Sequence, residues 1–156
     1  MEYLTRIKEI NLSTIDESSF KQRYVGCIVL TSDKQILLQS RPPHWRTFPG
    51  KIATFGGHVE EKETPSEALI RELREELGAQ VKSDELIVLG AIAEEITKYK
   101  DLVYLYYWHD KKETITGCYE CEAQYFTDVN EALHHPELMD DVRWALIECQ
   151  NRKLLL

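Results

Sequence analysis

Three glutamates in one short segment, Glu72, Glu75 and Glu76, have the chemistry and spacing of ligands for a divalent cation. On a helix, which turns by about 100° per residue, they share one arc beside an apolar side. That apolar side is formed by Leu69, Ile70, Leu73 and Leu77. Carboxylates one turn apart repel by about 0.2–0.5 kcal/mol, and near a helix C-terminus each is disfavoured by roughly 0.3–1 kcal/mol. A hard cation removes both penalties. A solvated acidic face is the alternative, and the helix alone leaves the two open.

Capping residues predict where this helix begins and ends. Thr64-Pro65-Ser66-Glu67 has the pattern of a capping box with proline at the first helical position. Gly78 suits the left-handed residue that follows a helix. We therefore expect a helix from Pro65 to Leu77.

The loop before this helix has residues that would serve the same site. It begins with a glycine pair, which lets backbone approach a ligand closely. Arg71 can pair with Glu75 along the helix and reach back to Glu63, which would tie the loop down. Glu60 and Glu61 add carboxylate or are simply solvated.

Further elements follow from hydrophobic pattern and turn residues. We expect strands over 24–30 and 36–38 (as a hairpin), 52–55, 86–96, 102–108 and 125–127, with a loop over 41–50. We expect a short helix after the capping pattern of 128–131. Pro136 is expected to open a longer amphipathic helix. Its apolar side would consist of Leu138, Val142, Ala145, Leu146 and Cys149. Helices at both ends of a run of strands indicate one mixed α/β domain over residues 1–156.

Composition excludes several classes of function. A net charge of −8 argues against stable nucleic-acid binding, which needs a basic surface. The sequence lacks a run of roughly 18 apolar residues, so we expect no membrane helix. The charged N-terminal segment is unlike a signal peptide, so a cytoplasmic location is expected.

Four cysteines are too few for a disulfide framework at this length. Cys118 and Cys121 form a CxxC pair that could be half of a zinc site. A second pair is missing because Cys27 and Cys149 are each isolated, so two ordinary thiols are the favoured interpretation.

The glutamate segment resembles the Nudix box. Its order is Gly57, five residues, Glu63, seven residues, Arg71-Glu72-Leu73, one residue, Glu75-Glu76, one residue, Gly78 and Ala79. Every charged and glycine position of that pattern is filled. Ala79 replaces a larger aliphatic residue, and Phe55 stands where many members have proline.

The resemblance implies an α/β/α sandwich, with a mixed sheet and helices packed on both sides. It implies a hydrolase that cleaves the diphosphate linkage of a nucleoside diphosphate joined to another moiety. Glu72, Glu75 and Glu76 would bind Mg²⁺ or Mn²⁺, with the Gly56 carbonyl as a further ligand. Glu63 and Arg71 would brace the loop on the helix.

The resemblance leaves the general base open, because it varies across the family. We favour Glu72 as the base, with Glu120 or Glu122 completing the metal shell.

Substrate contacts are expected from the loop 41–50. Arg41 or Arg46 could hold a phosphate, and Trp45 could stack on a base; a packed tryptophan and solvent-facing cations are the alternative. The expected partner is a small nucleotide-type molecule, and a homodimer stays open. Competing hypotheses are a sensor without turnover and an isoprenoid-diphosphate isomerase. The complete set of box glutamates argues against the sensor, and the core-strand position of Cys27 argues against the isomerase.

Overall fold

A computed structural model describes residues 2–155, and within them one mixed β-sheet is flanked by helices. The strands are β1 (Ile7–Ile10), β2 (Gln22–Leu30), β3 (Ile36–Ser40), β4 (Ile52–Ala53), β5 (Phe55–His58), β6 (Ile87–Glu94), β7 (Asp101–His109) and β8 (Glu122–Phe126). The helices are α1 (Pro65–Leu77), α2 (Val129–Leu133) and α3 (Asp140–Asn151). Short 3₁₀ turns cover Glu2–Arg6, Glu17–Ser19, Ser83–Glu85 and Glu95–Thr97.

Strand β2 is the centre of the sheet. It pairs in parallel with β7 along its whole length, for example Val25 with Tyr104. On its other edge it is divided, because its end pairs with β3 at Val29–Leu30 and its beginning pairs with β5 over residues 24–27. Strand β4 turns away from β5 to pair with β3. The sheet therefore opens between β3 and β5, beside the glycine pair of β5.

Two apolar layers lie on opposite faces of this sheet. Cys27 and Val29 of β2 pack with Leu69, Leu73 and Leu77 of α1. Ile28 and Leu30, which alternate with them as strand geometry requires, pack with the buried face of α3. The sandwich with helices on both sides is thus confirmed. The single domain over 1–156 stays a prediction, since residues 1 and 156 lie outside the described part.

Helix α1 has the predicted bounds and caps. The Thr64 hydroxyl accepts from the Glu67 N–H at 3.2 Å, and the Glu67 carboxylate accepts from the Thr64 N–H at 2.9 Å. Gly78 ends the helix in the left-handed conformation, at φ 65°.

The helix start predicted at Pro136 is wrong, because α3 begins at Asp140. Pro136 and Glu137 form a turn, and Leu138 then makes an isolated bridge to Ile52 of β4. The Ile52 N–H donates to the Glu137 carbonyl at 2.9 Å, and the Met139 N–H donates to the Ile52 carbonyl at 3.1 Å. This pairing takes up backbone groups that a helical turn would need.

Smaller differences concern the strands. Strand β1 was not expected, the expected strand 86–96 ends at Glu94 in a 3₁₀ turn, and the expected strand 52–55 is divided between β4 and β5. The last strand covers Glu122–Phe126 rather than 125–127. None of the helices in residues 2–155 has the length and apolar character needed to cross a membrane.

Gly56 provides a test of the central strand pairing. Its φ is 145°, and a Cβ at this position would lie 2.0 Å from the Val25 carbonyl oxygen. We expect Gly56→Ala to lower the free energy of unfolding by at least about 3 kcal/mol, because strain is added to a clash with backbone that cannot move aside. Urea unfolding followed by circular dichroism measures the loss.

Gly50 is the matched control. It also has positive φ, 73°, but a Cβ there meets no atom within 4 Å. Gly50→Ala should lower the free energy of unfolding by only about 1–2 kcal/mol, the cost of placing an L-residue in the left-handed conformation. Equal losses for the two variants would contradict the clash.

Candidate metal centre and active site

Helix α1 directs two of its glutamates at the glycine pair of β5. Glu76 is only 5% exposed, and its carboxylate accepts a hydrogen bond from the Gly56 N–H at 2.9 Å. Glu72 lies over Gly57, where a Cβ would come within 2.6 Å of its Oε1. The glycine pair therefore allows carboxylates and strand backbone to approach closely.

Arg71 ties the preceding loop to this helix. It donates to both carboxylate oxygens of Glu63, at 2.7 and 2.8 Å, and to the His58 carbonyl at 3.0 Å. It also donates to Glu72 at 2.9 Å and lies 3.6 Å from Glu75. Glu63 in turn accepts from the Glu60 N–H at 2.9 Å. The expected contact from Arg71 to Glu63 is present, and it holds the loop.

Glu120 is brought to the same place by the loop that follows β7. The buried Asp110 carboxylate accepts from the N–H groups of Thr114 and Ile115 at 2.9 and 3.0 Å, which shapes the start of that loop. The Tyr119 N–H then donates to the Glu76 carbonyl at 2.9 Å, at the C-terminal end of α1. Glu120 follows directly, and its charge acts on both Glu72 and Glu76. Glu122 instead lies on β8, opposite Ser40, and is exposed.

Burial and neighbouring carboxylates disfavour the ionised forms of Glu72 and Glu76. Burial raises the pKa of Glu76 to about 9, helped by the charges of Glu72, Glu120 and Glu75 and opposed by the Gly56 N–H. Burial also raises the pKa of Glu72, although Arg71 opposes it. A cluster of carboxylates that ranges from buried Glu76 to exposed Glu120, with one arginine beside it, suits a divalent cation.

The described residues do not, as arranged, converge on a ready ligand set: no three His, Cys, Asp or Glu side chains among residues 2–155 form one. The Glu72 carboxylate is turned to Arg71, and Glu76 is turned to the N–H of Gly56. Glu75 is half exposed, at 48% of its side chain. Cation binding would therefore require these carboxylates to reorient.

A cavity of about 350 Å³ opens beside the glycine pair. Its polar lining includes Gln39, Arg41, Thr54, Glu94 and Asp141. Burial raises the pKa of both Glu94 and Asp141 above their ordinary values.

Of the three loop residues expected to bind substrate, Arg41 lines this cavity, and Trp45 and Arg46 are not among its lining residues. Arg41 donates to the Thr47 carbonyl at 2.9 Å and lies 4.5 Å from the centroid of the Trp45 ring. Trp45 thus contacts the arginine, and Arg46 is exposed.

Glu94 and Asp141 were missed by the sequence analysis. The sequence signals for them are weak. Glu94 is the last residue of an apolar strand, and Asp141 lies in the first turn of α3, whose start was predicted at Pro136 instead of Asp140.

The family-model comparison matches the NUDIX domain over residues 20–148, most of the chain. The chain therefore belongs to the Nudix family, as its glutamate box indicated; the family consists of hydrolases of phosphorus-containing anhydrides.

Relatives agree with this membership. The nucleoside triphosphatase NudI of Escherichia coli O139:H28 is 41% identical over 66 residues, 42% of this chain and 47% of the relative. NudI of Shigella flexneri matches equally. The match spans about half the length of these relatives.

Solved structures share the fold. The E. coli ORF135 protein has a TM-score of 0.64 at 27% identity, covering 89% of this chain and 95% of its own. The MutT protein of Methanosarcina mazei Go1 has a TM-score of 0.69 at 21% identity, covering 85% and 94%.

The brace between Arg71 and Glu63 can be tested by Glu63→Gln. Arg71 lowers the pKa of Glu63 from 4.5 to about 2. The depressed pKa means that the contact stabilises the fold above about pH 4.5 and that this contribution is lost as pH falls towards about 2. We expect the variant to lose about 1–2 kcal/mol of unfolding free energy at neutral pH, a charge-assisted hydrogen bond reduced by partial exposure. Urea unfolding at neutral pH and near pH 2 measures both values.

Glu61→Gln is the control, because Glu61 is an exposed carboxylate of the same loop. It should change stability by less than about 0.5 kcal/mol at either pH. A loss for Glu63→Gln that persists undiminished near pH 2 would show that the ion pair is not its cause.

Proposed function

We propose that this protein is a divalent-metal-dependent hydrolase that cleaves the diphosphate linkage of a nucleotide-type substrate. The observation that carries the proposal is a cluster of four carboxylates beside an open cavity. Within it Glu76 is buried and accepts a hydrogen bond from Gly56, and the other members are Glu72, Glu75 and Glu120. Family membership supports hydrolysis of an acid anhydride. The substrate and the need for metal belong to the proposal.

These residues fit Mg²⁺ or Mn²⁺. Their oxygens are the hard donors that such cations prefer, and burial among like charges leaves Glu76 in need of a compensating cation. When bound, the cation would offset charge on the phosphate oxygens and lower the pKa of attacking water. Glu72, Glu75 and Glu76 would hold it, with Glu120 from the other side; the Gly56 carbonyl and Glu122 stay weaker candidates.

The remaining residues have defined tasks in this proposal. Arg71 and Glu63 keep the loop and α1 in register, so that Glu72 stays over Gly57. Glu72 would accept the proton of the attacking water, a role worth about 10²–10⁴ in rate. Glu120 is the alternative base, because its charge acts on both Glu72 and Glu76.

The cavity would hold the part of the substrate beyond the diphosphate. Arg41 can contact phosphate from the cavity wall, because its guanidinium is already oriented by Thr47. Gln39, Glu94 and Asp141 offer further hydrogen-bonding groups in the lining of the same cavity. A nucleoside, which carries several donors and acceptors, suits that lining. The homodimer stays a prediction.

The activity is tested with a panel of canonical and oxidised nucleoside triphosphates, ADP-ribose, nucleotide sugars, NADH, coenzyme A and dinucleoside polyphosphates. Phosphate release is coupled to pyrophosphatase or phosphatase at mildly alkaline pH with Mg²⁺. We expect turnover of one class, lost with EDTA and reduced at least about 10²-fold by Glu76→Gln, because a metal ligand is removed. In EDTA the variant should be about as stable as wild type, because the raised pKa of Glu76 leaves little charge to remove and glutamine keeps an oxygen that can accept from the Gly56 N–H.

Glu131→Gln is the control, since it changes an exposed glutamate on α2. It should leave turnover within about twofold. Near-wild-type, magnesium-dependent turnover by Glu76→Gln would show that the metal assignment is wrong. A folded protein that is silent across the panel would favour the sensor hypothesis.

Arg41→Lys tests the cavity as the substrate site. Lysine keeps the charge but loses the planar fork, so we expect KM to rise about tenfold with kcat changed less. Arg46→Lys is the matched change on the exposed part of the same loop and should leave KM within about twofold. Steady-state kinetics on the substrate found by the panel measures both. Equal changes in KM for the two variants would mean that the effect does not come from the position of Arg41 in the cavity wall.

A further inference from the structure

The CxxC pair lies in the turn that presents Glu120. The Sγ atoms of Cys118 and Cys121 are 3.2 Å apart, and the Cys118 thiol donates to the Cys121 carbonyl at 3.0 Å. Both thiols are free and half-buried. This arrangement differs from that of Cys27 and Cys149, which are fully buried in opposite apolar layers.

The turn is anchored on one side and open on the other. Its anchor is the Tyr119 N–H on the Glu76 carbonyl at 2.9 Å. Tyr119 is 62% exposed, and Glu120 beside it is exposed as well. Because Cys118 and Cys121 are themselves partly exposed, a small reagent can reach the pair, and the two sulfurs already lie close to each other.

We propose that Cys118 and Cys121 are a modification site, a reversible intramolecular disulfide that fixes Glu120 beside the carboxylates of α1. An S–S bond is about 2.05 Å long, so the two sulfurs must approach by about 1 Å. Glu120 lies between the linked residues and loses conformational freedom when the turn closes. A ligand that is ordered in advance binds with a smaller entropic cost. This second consequence rests on the proposed function.

The reaction is thiol–disulfide exchange with a small disulfide such as oxidised glutathione. One cysteine sulfur attacks it and releases one small thiol, and the other cysteine sulfur attacks the mixed disulfide and releases the second. One Sγ–Sγ bond forms and the bond of the small disulfide breaks. The two thiol protons end on the released thiols, so the cysteines are oxidised and the small disulfide is reduced.

The cross-link is tested by incubating the whole protein with oxidised glutathione, alkylating the remaining thiols and digesting with trypsin. Cys118 and Cys121 share the peptide 113–143. We expect its mass to fall by two hydrogen atoms, with Cys27 and Cys149 alkylated, and dithiothreitol to reverse the change. The variant Cys118→Ser keeps a hydroxyl for the Cys121 carbonyl and should form no cross-link in this peptide. Glutathione adducts without a cross-link in the wild-type protein would overturn the proposal.

The effect on Glu120 is measured in two ways. Amide hydrogen exchange at 117–121 should slow in the cross-linked protein, with or without metal. Calorimetric titration with Mn²⁺ should show about fivefold tighter binding, the lower end of usual coupling between sites. In Cys118→Ser the oxidant should change neither quantity in this way. A cross-link with unchanged amide exchange would overturn the role assigned to Glu120. Failure of Mn²⁺ to bind either form would instead overturn the metal site of the proposed function.

Discussion

The Arg71 guanidinium joins the loop before α1 to the carboxylates that follow on the same helix. Through Glu63 and the His58 carbonyl it fixes the loop, and through Glu72 it offsets part of the charge that the helix carries into the site. Without that contact, the Glu72 carboxylate would have no hydrogen-bond donor among the described residues, and the Glu76 carboxylate would have only the Gly56 N–H. A bidentate pair has the directionality to set this geometry, which a lysine in the same place would lack.

The divided edge of β2 explains why the site lies where it does. Because β2 pairs with β5 at its start and with β3 at its end, β4 and β5 separate at Thr54 and the sheet opens. The glycines of β5 lie at that opening, where α1 packs from one layer and the cavity opens beside them. The carboxylates and the cavity are therefore consequences of one feature of strand pairing, and a side chain at Gly56 would meet the backbone that creates it.

Local signals predicted α1 and its contacts well, because cap, proline, glycine and charge spacing all act within one helix and its adjoining loop. The bounds Pro65–Leu77 and the Arg71 contact to Glu63 needed no knowledge of distant residues. Pro136 misled for the opposite reason: the residues after it are held by β4, which is far away in sequence. Glu94 and Asp141 escaped notice because only the packing of α3 beside the end of β6 brings them into one cavity.

The burial of Glu76 has a consequence for the stability of the fold. A carboxylate as buried as Glu76, surrounded by like charges, opposes the folded state when it is ionised, so the rest of the fold must offset that cost. Under the proposed function, a cation that binds the folded chain and not the unfolded one would stabilise the folded state by RT ln(1 + [L]/Kd), where [L] is the concentration of free cation. The net charge of −8 is compatible with a phosphate-containing substrate for the same reason. Under the proposed function, the protein would approach phosphate through a bound cation rather than through a basic surface, and the repulsion among Glu72, Glu75, Glu76 and Glu120 would favour binding of that cation.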